Sequence, residues 1–435
     1  MRNPLSGRRS TQAAEPGADV GPAAGHSAKM DSSTGGEPAD VAEPRPAPGF
    51  RAYLGYFLGL GTWGFGGPIA SVGYMQRDLV ERRGWLTEAE FLDGVALGQT
   101  MPGPLAAQVV MWIGYLRRGW VGALAAAGAF IAPSFVLVMA VAIVYVRYSG
   151  LTIVQSLFYG IAPAVMAIIA IAAWKLARLT NRSDTRLWGI SVVLAVVTAV
   201  SGAEIAVLFI AAGLLMIALD APPRWLRRGG HTALLAWAGF PPARLIAASV
   251  GKFVRPWIAF TASAGVLVSL ALFFLKAGAL IFGSGLAIVP FLREGVVVQH
   301  HWLTSRQFID AVAMGLITPG PVVITATFIG YLVAGLPGAI VATIAIFTPI
   351  YLGVVVPGRW FVRHRDHPRI KAFVKGATAA AAGAIGGAVV VLTRQTVTDL
   401  PTVGIALVCF VLLLWRKIPE PVFVALGGLA GILLH

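Results

Sequence analysis

Gly98-Gln99-Thr100-Met101-Pro102-Gly103-Pro104 sits in the middle of an uncharged run, residues 94–116, and Thr318-Pro319-Gly320-Pro321 sits inside another, residues 311–358. Neither run can continue as one helix. Proline has no amide hydrogen and its ring collides with the preceding turn. The residue before it is pushed out of the helical region. Two prolines around a glycine therefore break the helix and free backbone groups. At membrane depth such a break is tolerated only where protein or a water-filled cavity satisfies those groups. Pro104 and Pro321 suit the first turn of a new half-helix.

The two breaks are 217 residues apart and belong to an internal repeat. At the same offset, Phe57-Leu58, Gly61 and Phe65-Gly66 match Phe274-Leu275, Gly278 and Phe282-Gly283. Trp85-Leu86-Thr87, Phe91 and Asp93 match Trp302-Leu303-Thr304, Phe308 and Asp310. After a one-residue gap the offset is 216, and Gly114-Tyr115-Leu116 matches Gly330-Tyr331-Leu332, Pro133 matches Pro349, Gly160 matches Gly376 and Glu204 matches Glu420.

The rest of the composition fits a membrane. Of 435 residues, 57% are hydrophobic and 12% charged, with a mean hydropathy of +0.77. Soluble domains carry about 25% charged residues. A soluble enzyme, a disordered scaffold and a coiled coil are excluded, and an all-α, polytopic integral membrane protein remains. Ten to twelve apolar elements are expected, since a crossing needs roughly 17–25 apolar residues. The net charge of +15 comes from basic residues in short loops, so membrane orientation explains it better than nucleic acid, and no nucleic-acid partner is expected.

Those basic residues alternate between the repeats. Arg117-Arg118 follows the first break, and no basic residue follows the second at 333–337. After the next span the second repeat has Arg359, Arg363, Arg365, Arg369 and Lys371 against Arg147 alone. One span later the first repeat has Lys175, Arg178, Arg182 and Arg186 against Arg394 alone. Positive loops stay cytoplasmic, so the fold reads as two inverted-topology repeats with broken or re-entrant helices at Pro-Gly-Pro, an architecture of secondary transporters. The expected divisions are a disordered tail at 1–49, a membrane repeat at 50–219, a cytoplasmic basic connector at 220–255 and a second membrane repeat at 256–435. The C-terminus is then outside. If residues 52–76 cross once, the tail is outside too. If they dip in and return at Gly64–Gly67, it is inside. The run 94–116 has the same two readings.

Half-helix starts present free amides and the positive end of the helix dipole, which attract anions. Two symmetry-related starts facing each other would make one anion site from Pro102, Gly103, Pro104, Pro319, Gly320 and Pro321. Gln99, Thr100, Gln108, Thr318, Thr325 and Thr327 add polar groups, although a threonine hydroxyl can equally bond back to its own helix. Gly66, Gly67, Gly283 and Ser284 form a second repeated break, which either lines the same cavity or packs helices closely. Asp93 and Asp310 follow capping boxes at Thr87/Glu90 and Thr304/Gln307. They read as proton-coupling carboxylates or as interfacial acids. Lys276 either attracts an anion or snorkels. Arg77 and Arg293 are charge partners near the mouth or plain loop residues, and Glu204 and Glu420 suit helix starts. Cys409, the single cysteine, reads as a small hydrophobe. No metal-ligand, nucleotide-binding or nucleophile motif stands out, so no metal, cofactor or enzymatic activity is expected. A lipid-linked phosphate enzyme would need acidic clusters that the spans lack.

Phe65-Gly66-Gly67-Pro68, Gly84-Trp85-Leu86-Thr87, the 98–104 stretch and Gly114-Tyr115 resemble the chromate transporter family in its long two-repeat form. Phe282-Gly283-Ser284-Gly285, His301-Trp302-Leu303-Thr304 and 318–321 resemble its second half. The resemblance covers roughly 50–435. It implies an inner-membrane carrier that exports chromate by means of the proton motive force, with sulfate as a related anion. The expected partners are a chromate- or sulfate-like oxyanion and the lipid bilayer, with a homodimer left open. An anion channel, or a carrier for a different oxyanion, is the alternative.

Overall fold

Every element of the computed structural model is helical, and the described residues are 49–65, 67–148, 151–201, 206–222, 265–282, 285–364, 367–415 and 419–434. The expected tail, most of the basic connector, Gly66, Glu204, Gly283 and Ser284 lie outside them.

The first repeat begins with α1 (Phe50–Trp63) and α2 (Gly67–Met75), the latter running into a π-helical turn, Gln76–Arg82. Then come α3 (Glu88–Thr100), α4 (Leu105–Tyr148), α5 (Thr152–Asn181), α6 (Thr185–Ser201) and α7 (Ala206–Asp220). The second repeat has α8 (Val266–Ala279), a 3-10 turn at Gly285–Ala287, α9 (Ile288–Arg293) and a π-helical turn at Glu294–Gln299. It continues with α10 (Ser305–Ile317), a 3-10 turn at Val322–Ile324, α11 (Thr325–Val355) and α12 (Gly358–His364). It ends with α13 (Pro368–Thr396), α14 (Leu400–Trp415) and α15 (Glu420–Leu434).

Both capping boxes form. The Thr87 hydroxyl accepts from the Glu90 amide while the Glu90 carboxylate accepts from the Thr87 amide, at 3.2 and 3.0 Å. Thr304 and Gln307 repeat this at the same two distances. Each long helix after a Pro-Gly-Pro break is itself two helices. Gly119 has φ 60° and ψ −149°, and Gly335 has φ 61° and ψ −150°. Only glycine reaches that conformation without strain. The chain folds back so sharply there that Gly114 closes on the Gly122 backbone and Gly330 on that of Gly338. Residues 105–117 and 325–333 are thus short arms, and residues 120–148 and 336–355 are long ones.

The breaks turn each repeat into two helical hairpins. Trp112 Nε1 donates to the Glu90 carbonyl at 3.1 Å and Arg117 Nη2 to the Trp85 carbonyl at 2.7 Å, and Gly98 packs on Gln108. α3 and 105–117 therefore run antiparallel, with Pro-Gly-Pro at the tip. Of the two readings of residues 94–116, the hairpin is the one formed. Residues 52–76 do the same: the Tyr53 hydroxyl reaches the Trp85 carbonyl at 2.7 Å and Tyr56 reaches Asp78 at 3.4 Å, so α1 enters and α2 returns. In the second repeat Phe273 meets Phe291 and Trp302 in the same manner, with ring centroids 5.6 and 5.8 Å apart.

The hairpins of the two repeats open at opposite ends of the molecule. The Tyr351 hydroxyl donates to the Trp120 carbonyl at 2.9 Å, and Gly358 packs on Trp112, so α11 ends where the first repeat's hairpins open. Arg306 donates to the Gln155 carbonyl at 3.0 Å, so the second repeat's hairpins open beside the turn joining α4 to α5. Between those ends lies the long arm 120–148, about 43 Å at 1.5 Å per residue. The first end collects Arg82, Arg83, Arg117, Arg118, Arg178, Arg186 and Arg359, and Arg186 pairs there with Asp220 at 2.9 Å.

The remaining helices interlock the repeats. α13 packs along α6 and α7, where Gly376 meets the Ala212 backbone and Gly383 that of Ser191. α5 packs along α14 and α15, with Gly160 against Gly427 and Gly431. Among the described residues, four helices are long and apolar enough to cross a membrane: Leu105–Tyr148, Thr152–Asn181, Val322–Val355 and Pro368–Thr396.

Candidate functional site

Three of the hairpin tips come together in the buried centre. The Gly103 amide donates to the Ile281 carbonyl at 2.7 Å, joining the first repeat's Pro-Gly-Pro tip to the second repeat's glycine-rich break. A methyl group on Gly285 would lie 3.5 Å from Val322 Cβ and 4.0 Å from Pro104 Cβ, so Gly285 stands between the two half-helix starts. Ser134, halfway along the long arm of α4, donates its hydroxyl to the Pro319 carbonyl at 2.5 Å. Its counterpart by the repeat offset, Ile350, packs on Gly103. Each Pro-Gly-Pro tip therefore rests on the long arm of the other repeat.

The polar groups at the tips have defined tasks. Gln108 is fully buried, and its Nε2 donates to the carbonyls of Pro102 and Met101 at 2.9 and 3.3 Å. It satisfies backbone acceptors that the break releases. Its Oε1 is buried with no hydrogen-bond partner among the described residues. Thr325, the repeat counterpart of Gln108, donates to the Val322 carbonyl at 2.8 Å. Thr318 donates to the Met314 carbonyl at 2.9 Å and Thr100 to that of Ala96 at 2.6 Å, each back into its own helix. Thr327 and Thr343 bond to each other at 2.6 Å. What the tips still present are the first amides of 105–117 and those of Val322 and Val323, which a helix start leaves without intrahelical partners, the Ile324 amide being taken by the Pro321 carbonyl at 3.0 Å.

A family model described as chromate transporter matches residues 52–218 and 268–432. The chain belongs to the chromate transporter family. A chromate transport protein of Cupriavidus metallidurans is 50% identical over 386 residues, 88% of this chain and 93% of the relative. A probable chromate transport protein of Synechococcus elongatus is 47% identical over 391 residues, 89% and 96% of the two chains. A chromate transport protein of Pseudomonas aeruginosa is 28% identical over 386 residues, 86% and 90% of the two chains. No solved structure matches the chain. As a member of this family the chain is a multi-pass membrane protein, and each matched segment begins with one set of hairpins and runs on through the helices that follow it.

Within this family member, the residues singled out in the sequence do not all share one site. Pro102, Gly103, Pro104, Gln108, Thr318, Pro319, Gly320, Pro321 and Thr325 lie at or next to the meeting tips. Gln99, Lys276 and Arg77 are exposed. Arg77 pairs with its neighbour Asp78 at 3.1 Å, and Lys276 lies over the Phe291 ring at 5.5 Å. Arg293 is buried at the end of α9, and Gly67 opens α2. The two aspartates part company: Asp93 is half-buried, whereas Asp310 is 2% exposed and accepts from the Tyr145 hydroxyl at 2.7 Å.

Ser134 and Tyr145 escaped the sequence reading. Each is a polar side chain on a 44-residue apolar helix, and that polarity was the available signal. A groove of about 410 Å³ between the long arms, lined by Phe135, Ile340 and Phe347, is apolar. The hydroxyls at its rim, Thr343, Thr348 and Tyr351, already donate to the carbonyls of Ala339, Ile344 and Trp120. An alkyl chain fits that lining better than an oxyanion.

Proposed function

We propose that this chain is a secondary transporter that exports chromate across the inner membrane, driven by the proton motive force. The observation that carries the reading is the meeting of two half-helix starts beside Gly285. Chromate is a tetrahedral dianion. Two helix starts offer it several backbone donors and two positive dipole ends without burying a fixed positive charge. The Gly103 amide, Gln108 Nε2 and Ser134 Oγ hold the tips in place, so the donors to the anion are the amides that follow Pro104 and Pro321. The second repeat's glycine-rich break joins them through the Ile281 carbonyl and Gly285. The three relatives, each named for chromate transport, support chromate as cargo.

Orientation follows from charge. With basic residues held inside, the end carrying Arg82, Arg83, Arg117 and Arg118 is cytoplasmic. The N-terminal tail and the 220–255 connector then lie inside, and the C-terminus lies outside. An arginine-rich inner mouth raises the local concentration of a dianion before capture, which suits export.

The test is chromate uptake by inside-out vesicles, with an acid lumen and without one, and with sulfate as competitor. Gradient-driven uptake absent from empty vesicles is expected. Pro102→Ala combined with Pro321→Ala is expected to insert normally and lose that uptake. Uptake that ignores the gradient would mean a channel. A folded, inserted protein that takes up no chromate would remove chromate as the cargo.

A further inference from the structure

The repeats are near-copies at their tips but not at their carboxylates. Asp310 lies on α10, about 8 Å below the opening of its hairpin if each residue rises 1.5 Å. Its Oδ2 accepts from the Tyr145 hydroxyl at 2.7 Å. Tyr145 is clamped by Phe158 from α5 and Phe328 from α11, both edge-on at 5.3 Å between centroids. Applying the repeat offsets, the partners of Asp310 and Tyr145 are Asp93 and Phe361. Phenylalanine has no hydroxyl to give, and Asp93 is half-buried where Asp310 is closed off. A carboxylate at this depth is costly without a donor, and the first repeat's long arm supplies Asp310 with the Tyr145 phenol, where the matching position of the second repeat is Phe361.

Resting on the transporter reading above, we propose that Asp310, positioned by Tyr145, is the group that takes up the coupling proton, and that it does so from the end opposite the arginine-rich one. The polar groups acting on it are Tyr145 from α4 and Arg306, one turn back on its own helix. Arg306 is turned to the Gln155 carbonyl at that end, which leaves Tyr145 as its direct donor. The other side chains described around the phenol, Phe158 and Phe328, carry no charge.

The ionised state ties the second Pro-Gly-Pro hairpin to the long arm of α4 by a charge-assisted hydrogen bond. Such bonds are about twice as strong as neutral ones. Taking up one proton leaves a neutral acid and a weaker tie. The element released is the hairpin that carries Pro319–Pro321 and rests on Ser134 of the same arm. Protonation on the outer side and occupancy at the tips therefore act on one contact, α10 and its tip against residues 120–148. At the position matching Tyr145 the second repeat carries Phe361, which has no hydroxyl, so this tie has no twin and the coupling is one-sided.

Inside-out vesicles give the test, because their lumen stands in for the outer side. Two quantities are read: stimulation of chromate uptake by an acid lumen, and chromate–chromate exchange without a gradient. Asp310→Asn is expected to lose the stimulation and keep the exchange. Tyr145→Phe removes the donor to the charged form, so half-maximal stimulation moves to a less acidic lumen. Asp93→Asn is expected to keep the gradient dependence. Undiminished stimulation in Asp310→Asn, or an unmoved pH midpoint in Tyr145→Phe, overturns the assignment. So does equal loss in Asp93→Asn, because coupling would then be shared by both repeats. Failure of the unaltered protein to exchange chromate would instead defeat the transporter reading itself.

Discussion

Glycine at two pairs of positions separates architecture from function. Gly103 and Gly320 have φ of 144° and 99° at the meeting tips, and Gly119 and Gly335 have φ near 60° at the turns into the long arms. A methyl at Gly103 would meet Gln108 Nε2 at 2.8 Å and Ile350 Cγ2 at 2.9 Å, and one at Gly320 would meet Ser134 Oγ. At Gly119 and Gly335 nothing lies within 4 Å. Alanine at any of the four adopts a strained backbone costing about 1–3 kcal/mol, and close contacts add a packing cost at Gly103 and Gly320 alone, so the unfolding temperature in detergent should fall for all four and further for the tip pair. Uptake per inserted molecule is expected to collapse for Gly103→Ala and Gly320→Ala and to hold for Gly119→Ala and Gly335→Ala. Loss of uptake in all four would mean that the turns, not the tips, control transport. The tip glycines were readable from the sequence because proline flanks them. Ser134 was not, since a lone serine in an apolar helix usually bonds its own backbone.

At the scale of elements, the hairpins explain what sequence periodicity left open. A run such as 94–116 has the length of one crossing, and hydropathy cannot tell a crossing from two short helices that double back. The deciding contacts are between residues far apart in the run, Gly94 with Trp112 and Gly98 with Gln108. They form because the glycines admit the larger side chains. The openings of the hairpins also differ. In the first repeat the Trp85 carbonyl accepts from both Tyr53 and Arg117, and Arg117 also approaches Glu90 at 3.4 Å. Their counterparts by offset are Leu270 and Val333, and that end stacks His300 on Trp302 instead, with centroids 4.2 Å apart. The first pair of hairpins is thus clasped by two side-chain bonds to one carbonyl that Leu270 and Val333 cannot make in the second. Arg117→Ala is expected to destabilise the protein by about 1–2 kcal/mol, mostly through the lost hydrogen bond from a charged group, since the half-exposed ion pair adds little. Thermal unfolding measures it. Val333→Ala is expected to cost less, and a larger loss there would place the stronger clasp in the second repeat.

At the scale of the molecule, the sequence announced two inverted repeats through antiphase charge, yet it gave no sign that they interlock. The repeat offset pairs α5 with α13, but each of these packs on the final helical pair of the other repeat, through Gly160 on Gly427 and Gly376 on Ala212. Such contacts join residues more than 150 positions apart, which no local pattern encodes. Small residues let the backbones touch, and in lipid that close packing replaces the hydrophobic drive available in water. A repeat made alone would leave the glycine faces of α5 or α13 without partners and its tips without Ser134 or Ile350 beneath them. The chain can be divided between residues 223 and 264, leaving every described helix whole. Either half produced alone is expected to be degraded or aggregated in the membrane. The two produced together are expected to copurify and to recover gradient-driven uptake. Folding and transport by the second half alone would show that interlocking is dispensable and that the meeting of the tips does not require both repeats. Copurification without uptake would confine the fault to the central tips, because the peripheral glycine contacts would by then have formed.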